Sequence, residues 1–162
     1  MLKVCVFYLS VGLLPSLLLA AEVPVVSDLR QEAKLSQQSR LPLLISFSAE
    51  ECHYCELIEE DFLEPLLLRQ VDRDRVIIRK LELDGEDVRG FDGVLLSPAA
   101  LARFYGVTVT PTVLFLDSKG EELSERLIGI STPDLFGAYL EQSIDQARVV
   151  LREALVRLPK RP

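Results

Sequence analysis

The chain has 162 residues with a hydrophobic content of 49%, which suits one domain that buries a substantial core. Its formal net charge is −7, from 18 basic and 25 acidic residues. This acidic balance argues against a nucleic-acid partner and against binding to an anionic membrane surface.

The N-terminus has the pattern of a secretory signal peptide. Lys3 supplies a positive start, and an apolar run over residues 4–20 follows, interrupted by Gly12 and Pro15. We predict that residues 1–21 form a leader that is cleaved after small residues at its end. The alternative is an uncleaved transmembrane anchor, because a run of about 17 residues reaches the lower limit for a spanning helix. The glycine and the proline weaken that alternative.

Cleavage of the leader has a consequence for the cysteines. It removes Cys5 and leaves Cys52 and Cys55 as the two cysteines of the mature chain. An exported chain enters a compartment in which disulfides form and persist. We therefore expect a soluble mature protein whose two cysteines are able to pair with each other.

Residues 22–41 are predicted to form a linker and an N-terminal helix. Ser27 is the expected N-cap of a helix from Asp28 to Ser39, and Pro42 ends that helix. The apolar run Leu43–Phe47 then predicts a short buried strand.

A pair of cysteines at i, i+3 follows this strand, at the start of a predicted helix. The free N–H groups of the first helical turn and the positive end of the helix dipole favour a thiolate at Cys52. Cys55, one turn further in, is placed to attack a mixed disulfide formed at Cys52. His53 also favours the thiolate through its partial positive charge, whereas the carboxylates of Glu50 and Glu51 oppose it.

Two other interpretations of the cysteine pair are weaker than redox chemistry. A structural zinc site needs four ligands, and the mature chain offers one cysteine pair and one histidine. A purely structural disulfide across so short a loop removes little entropy from the unfolded chain. We therefore predict no metal site and a redox-active pair.

The motif helix is predicted to span Cys52–Glu60 and to break at Asp61–Pro65. A second short helix, Leu66–Val71, and a strand, Arg75–Leu83, are expected next. Because a helix separates the two predicted strands, a right-handed crossover with parallel pairing follows.

The second half of the domain completes the predicted sheet. Gly85–Leu96 is expected to be irregular, and Ser97 to cap a helix over Ala99–Tyr105. Two further strands, Thr112–Leu116 and Glu122–Ile128, are expected to form a hairpin.

A final helix is predicted from Thr132 to Leu158, because apolar residues keep helical spacing along this segment. We place the core of the domain at residues 42–145 and a C-terminal helical extension at residues 146–162.

Several motifs, in this order along the chain, resemble thioredoxin-fold thiol–disulfide oxidoreductases. They comprise the strand, loop and cysteine pair, the charged second strand, the helix end with its proline loop, the hairpin turn, and the glycine after the last strand. In sequence they are Phe47-Ser48-Ala49-Glu50-Glu51-Cys52-His53-Tyr54-Cys55, Lys80-Leu81-Glu82-Leu83-Asp84, Tyr105-Gly106-Val107-Thr108-Val109-Thr110-Pro111-Thr112, Lys119-Gly120-Glu121 and Gly129. Within that superfamily the chain looks most like exported bacterial thioredoxins of the SoxW type.

The resemblance implies an α/β fold whose central four-stranded mixed sheet combines two parallel strands with an antiparallel hairpin, flanked by helices. It implies that Cys52 is the nucleophile and Cys55 the resolving thiol. Pro111 would form a cis peptide bond, and Thr110 before it would offer backbone hydrogen bonds to an extended substrate.

The chain departs from the family pattern at two positions near the cysteines. Ser46 stands where thioredoxins have a buried aspartate that accepts the proton of the resolving thiol, which leaves Lys80 without its usual carboxylate partner. Glu51 stands where they have a tryptophan, so the docking surface is expected to be more acidic. Proton transfer from the resolving thiol is left open between water, Glu50 and Glu82.

The resemblance implies an exported, periplasmic enzyme that reduces disulfides in proteins or small molecules. No cofactor is predicted, so electrons are expected from a membrane-embedded thiol–disulfide donor protein. The alternatives are a non-catalytic peptide-docking or assembly module, a disulfide oxidase, and an isomerase. A copper(I) carrier is weakened because the chain has 1 methionine, at its first position.

Overall fold

The centre of the molecule is a mixed sheet of four strands, seen in a computed structural model that describes residues 21–69, 74–130 and 132–157. In chain order its strands are β1 (Leu43–Ser48), β2 (Ile77–Glu82), β5 (Thr112–Leu116) and β6 (Leu127–Ile128). Their spatial order is β2-β1-β5-β6. β1 pairs with β2 in parallel, and the other two pairings are antiparallel. The predicted fold class is therefore confirmed.

Five α-helices flank this sheet in the described residues. They are α1 (Leu29–Ser39), α2 (His53–Ile58), α3 (Glu64–Leu68), α4 (Pro98–Phe104) and α5 (Pro133–Arg157). Most of the predicted leader, the end of the predicted helix Leu66–Val71 and the last residue of the predicted final helix lie outside the described residues.

Side chains along β1 point alternately to the two faces of the sheet, and their packing partners identify each face. All six residues of β1 are buried, because the strand lies between two others. Leu44 packs with residues of α2, α3 and α5, whereas its neighbours Leu43, Ile45 and Phe47 pack with residues of α1 and α4. Since side chains alternate with a period of two, Ser46 points to the same face as Leu44, the face that carries the cysteine helix.

Helix α1 begins one residue later than predicted, and Asp28, rather than Ser27, is its N-cap. The Asp28 carboxylate accepts hydrogen bonds from the N–H groups of Arg30 and Gln31, at 2.9 and 3.3 Å. Ser27 is held instead by the neighbouring backbone, because its carbonyl accepts from the Arg89 N–H at 2.9 Å.

The predicted break after the motif helix is wrong. Between α2 and α3 the chain forms a π-helical turn, Glu59–Leu63, in which the Glu64 N–H donates to the Glu59 carbonyl. Pro65 lies at the start of α3, where its missing N–H is tolerated. The turn therefore keeps the helix continuous where the proline pattern predicts an interruption.

Two further expectations about strands need correction. The segment Gly85–Leu96 is not wholly irregular, because β3 (Val88–Arg89) and β4 (Leu95–Leu96) form a short antiparallel pair. The predicted strand Glu122–Ile128 is reduced to β6 and a single bridge from Glu122 to β5. Side-chain contacts compete there with strand pairing, since the Ser143 hydroxyl donates to the Glu125 carbonyl at 3.2 Å.

The turn between β5 and β6 needs glycine at position 120. Gly120 has a φ of 84°, and an added Cβ would approach the Tyr105 hydroxyl to 2.7 Å and the Phe91 ring to 2.8 Å. Tyr105 donates a hydrogen bond to the Gly120 carbonyl at 3.1 Å and packs edge-on against Phe47. Burial raises the pKa of Tyr105 to about 12, so its hydroxyl stays a donor far above neutral pH.

Helix α5 is one uninterrupted element through Arg157. Ala147 and Leu151 are still buried in the core, whereas residues 152–157 are exposed. The division between a core at residues 42–145 and an extension at residues 146–162 stays a prediction.

Candidate active site

The cysteine pair lies at the N-terminus of α2, where β1 ends. Cys52 is the N-cap, and its sulfur accepts a hydrogen bond from the Cys55 N–H at 3.3 Å. The two residues form a disulfide, with their Cα atoms 5.2 Å apart. Cys52 is partly exposed, whereas Cys55 is 2% exposed. One sulfur of the pair is thus open to a partner, and the other is enclosed by the protein.

The loop before β5 meets the same helix end. The Thr110–Pro111 peptide bond is cis, and Pro111 is buried. The Thr110 hydroxyl lies 3.6 Å from the Cys52 sulfur, to which it donates a hydrogen bond. Antiparallel pairing explains this approach, since Phe47 near the end of β1 is opposite Thr112 at the start of β5. The structure therefore brings Thr110, one of the two predicted substrate-binding residues, to the partly exposed cysteine, and Pro111 follows it in the chain.

Four of the predicted environment residues surround Cys52 at the surface. Glu50, Glu51, His53 and Tyr54 are all exposed. Glu51 has a φ of 56°, and the N–H of Glu50 is held by the Asp84 carboxylate at 2.8 Å. Exposed carboxylates beside Cys52 make this surface acidic, as the replacement of a tryptophan by Glu51 predicts.

Ser46 and Lys80 lie directly opposite each other on adjacent parallel strands, on the face of the sheet that carries α2. Ser46 is fully buried, and its hydroxyl finds no hydrogen-bond partner among the described residues. The Lys80 ammonium lies 3.0 Å from a Glu59 carboxylate oxygen and 3.2 Å from one of Glu82. The expectation that Lys80 lacks a carboxylate partner is therefore wrong, because Glu59 supplies one from the helix side.

The surroundings of Lys80 keep it charged. Burial by itself lowers the pKa of Lys80, but the hydrogen bonds and charges of Glu59 and Glu82 outweigh burial and raise it above its usual value. Because the pKa of Lys80 is raised, its ion pairs with Glu59 and Glu82 stabilise the fold fully at pH values below the ordinary lysine pKa. This stabilisation is lost as the pH rises through the raised pKa.

A cavity of about 460 Å³ connects this ion pair to the cysteines. Its lining combines residues of the loop after β1, the face of the cysteine helix, and the end of β2. These are Ser48, Ala49, Glu50, Glu51, Cys52, Cys55, Glu56, Glu59, Lys80, Glu82, Asp84 and Gly85. Sequence reasoning missed Glu59, although its position four residues after Cys55 predicts the same helix face.

Within residues 21–69, 74–130 and 132–157, no group of three or more histidine, cysteine, aspartate or glutamate side chains is arranged to hold a metal ion. The same stretches contain no helix whose length and hydropathy would let it cross a membrane.

The fold and the paired cysteines define a thiol–disulfide oxidoreductase. A family profile described as Thioredoxin-like domain matches residues 29–144, and the chain belongs to this family. No curated protein sequence matches the chain.

Solved thioredoxin structures share the fold. The thioredoxin NaTrxh of Nicotiana alata is 22% identical with a TM-score of 0.52, over 78% of this chain and 96% of that one. Fasciola hepatica thioredoxin is 21% identical with a TM-score of 0.53, over 77% and 99%. Thioredoxin f from spinach chloroplast is 18% identical with a TM-score of 0.54, over 80% and 96%. At these identities the likeness shows the fold alone.

Proposed function

We propose that this protein is an exported reductant of protein disulfides, similar to the bacterial thioredoxins of the SoxW type. The observation that carries the proposal is the asymmetry of the cysteine pair. Cys52 is partly exposed at a helix N-terminus, and Cys55 is buried one turn behind it. A nucleophile must reach its substrate, whereas a resolving thiol acts inside the mixed disulfide and needs no access of its own.

The reaction consists of two exchanges. The Cys52 thiolate attacks a substrate disulfide, and the first substrate sulfur leaves as a thiolate that takes up a proton. Cys55 then attacks the Cys52 sulfur, the bond from Cys52 to the substrate breaks, and the second substrate thiolate leaves. Two electrons pass to the substrate, and the protein ends with the Cys52–Cys55 disulfide that the structure shows.

Substrate binding is assigned to the loop before β5. Thr110 lies against the Cys52 sulfur, and Val109 beside it exposes 48% of its surface. A backbone segment at this position offers hydrogen bonds to an extended peptide, as in strand addition. The acidic surface formed by Glu50 and Glu51 would disfavour acidic peptides and favour basic ones.

Export and the electron source are supported by the sequence. The leader pattern at residues 1–21 directs the chain out of the cytoplasm. An exported reductant oxidised in each turnover needs renewed electrons, and the sequence carries no nucleotide-binding or flavin motif to receive them. A membrane-embedded thiol protein is the donor class that fits these requirements.

A cell experiment tests both points. The full chain is expressed with its own leader in a Gram-negative host that carries a membrane thiol donor and in a matched strain that lacks it. We expect the mature chain in the periplasmic fraction, starting near Glu22, with Cys52 and Cys55 reduced in the first strain and oxidised in the second. Acid quenching, alkylation and mass measurement report both properties.

A double variant, Cys52→Ser with Cys55→Ser, is the control, because it is exported but takes up no alkylating label in either strain. Retention of the leader in a cytoplasmic product would contradict export. The same cysteine oxidation state in both strains would contradict the donor.

A further inference from the structure

The position of the family's proton acceptor is occupied here by a residue that cannot ionise near neutral pH. We propose that Glu59 accepts the proton of Cys55 when Cys55 attacks the mixed disulfide on Cys52. This inference rests on the proposed function, since it concerns the second of its two exchanges. It assigns the acceptor to the cysteine helix, whereas thioredoxins are expected to carry it on the strand beneath.

The helix geometry brings the two groups together. The Glu59 N–H donates to the Cys55 carbonyl, so the residues are one helical turn apart on the same face. Side chains with this spacing have Cβ atoms about 5–6 Å apart. At that separation a single water molecule can bridge the Cys55 thiol and the Glu59 carboxylate. Both residues line the cavity of about 460 Å³ beneath the cysteines.

Burial distinguishes Glu59 from the other carboxylates of the cavity. Its side chain is 12% exposed, compared with 42% for Glu82, and Glu50, Glu51 and Glu56 are all exposed. A carboxylate enclosed beside a buried thiol exchanges protons with that thiol, whereas exposed carboxylates exchange them with solvent. The earlier candidates Glu50 and Glu82 are therefore less suited to the role.

Lys80 and Ser46 complete the arrangement from the sheet. Lys80 holds the Glu59 carboxylate at 3.0 Å, which fixes its direction toward the cavity. Ser46, opposite Lys80, points to the face that carries α2 and offers a small neutral side chain there. The charged and titratable groups that share the cavity with Glu59 are Glu50, Glu51, Cys52, Cys55, Glu56, Lys80, Glu82 and Asp84.

The proposed step balances in protons and electrons. The Cys55 thiol gives its proton to the Glu59 carboxylate as its sulfur forms a bond to the Cys52 sulfur. The bond between Cys52 and the substrate sulfur breaks, and the electron pair leaves with the substrate thiolate. Glu59 then releases its proton to solvent, from which the departing thiolate takes one.

Stopped-flow absorbance with a coloured leaving group separates the two exchanges. The reduced mature chain is mixed with an equimolar amount of dithiobis-nitrobenzoate, an aromatic disulfide that releases a yellow thiolate in each exchange. The first phase reports attack by Cys52, and the second reports resolution by Cys55. The variant is Glu59→Gln, which keeps the shape of the side chain, and the control is Glu60→Gln, an exposed neighbour outside the cavity lining.

In Glu59→Gln we expect the second phase to slow by about a hundredfold or more at neutral pH, the low end of what a positioned acid or base contributes. The difference from the unmodified chain should shrink as the pH passes about 8.5, where thiols ionise without help. The first phase should be unchanged, and Glu60→Gln should alter neither phase. Adding Ser46→Asp to Glu59→Gln places a carboxylate opposite Lys80 and should restore the second phase.

A second phase that Glu59→Gln leaves unchanged, or slows equally at every pH, would overturn the proposal while leaving the proposed function standing. Absence of both phases in the unmodified chain would instead contradict the proposed function. If Glu59→Gln does not fold, Glu59→Asp serves in its place. Its carboxylate is one methylene shorter, so the second phase should again slow near neutral pH and recover at alkaline pH.

Discussion

Replacing Cys52 with serine is expected to abolish disulfide reduction, whereas replacing Cys55 with serine should stop the reaction one step later, at a covalent complex with the substrate. A serine hydroxyl stays protonated at neutral pH, so Cys52→Ser removes the nucleophile. Cys55→Ser keeps the nucleophile but removes the thiol that resolves the mixed disulfide. Turnover of insulin disulfides should fall by more than about a thousandfold in both variants, which is the scale of losing a nucleophile.

The two variants differ in the species that accumulates. After incubation with a protein disulfide, Cys55→Ser should run on a non-reducing gel as a complex that a reducing agent dissolves, and Cys52→Ser should form none. Tyr139→Phe, at an exposed tyrosine outside the lining of the cysteine cavity, leaves both sulfurs in place; it is the control and should retain turnover. If Cys52→Ser kept full turnover, or if the complex formed through Cys55 instead, the assignment of the two roles would be wrong.

Truncation of Phe115 to alanine is expected to produce the largest loss of stability. Phe115 is 0% exposed on strand β5 and packs in the core with Leu44, Phe136 and Leu140. Removing a buried aromatic ring deletes its transfer free energy and leaves a cavity, so unfolding should become easier by about 3–5 kcal/mol.

Phe104→Ala is the matched control, because the same substitution removes a ring that is 77% exposed. Its effect should stay within about 0.5 kcal/mol, as for other surface substitutions. Denaturant unfolding of the oxidised mature chain, followed by far-ultraviolet circular dichroism, measures both, since the chain has no tryptophan. Equal losses in the two variants would contradict the core described for the sheet.

The strands that are buried on both faces could be predicted from the sequence, because they form uninterrupted apolar runs. Leu43–Phe47 and Thr112–Leu116 lie in the middle of the sheet, so both faces are covered and nearly every position is apolar. The segment before Leu127 was predicted as strand from its residue types. In the structure the Glu125 carbonyl of this segment accepts a hydrogen bond from the Ser143 hydroxyl of α5 rather than from a neighbouring strand. Such contacts leave no trace in local sequence.

The sequence predicted the reactive groups of the candidate site, but it did not predict which buried residues pack next to them. The i, i+3 cysteines and the proline loop are local motifs, and the structure brings Cys52 and Thr110 together. Glu59 was missed because its importance comes from the packing of α2 on the sheet, which brings it to Lys80. The replacement of the buried aspartate by Ser46 was visible in the sequence. The helix residue that supplies the missing carboxylate becomes evident only once the two elements are packed.

The reduction potential of the Cys52–Cys55 couple is the measurement that tests the reductant account most directly. The mature chain is equilibrated in dithiothreitol or glutathione buffers of graded potential, and free thiols are quantified by alkylation and mass shift. We predict a potential near that of thioredoxin, about −270 mV, at which the dithiol reduces most exposed protein disulfides. A potential near about −120 mV, typical of a strong disulfide donor, would mean that electrons flow in the opposite direction and would contradict the account.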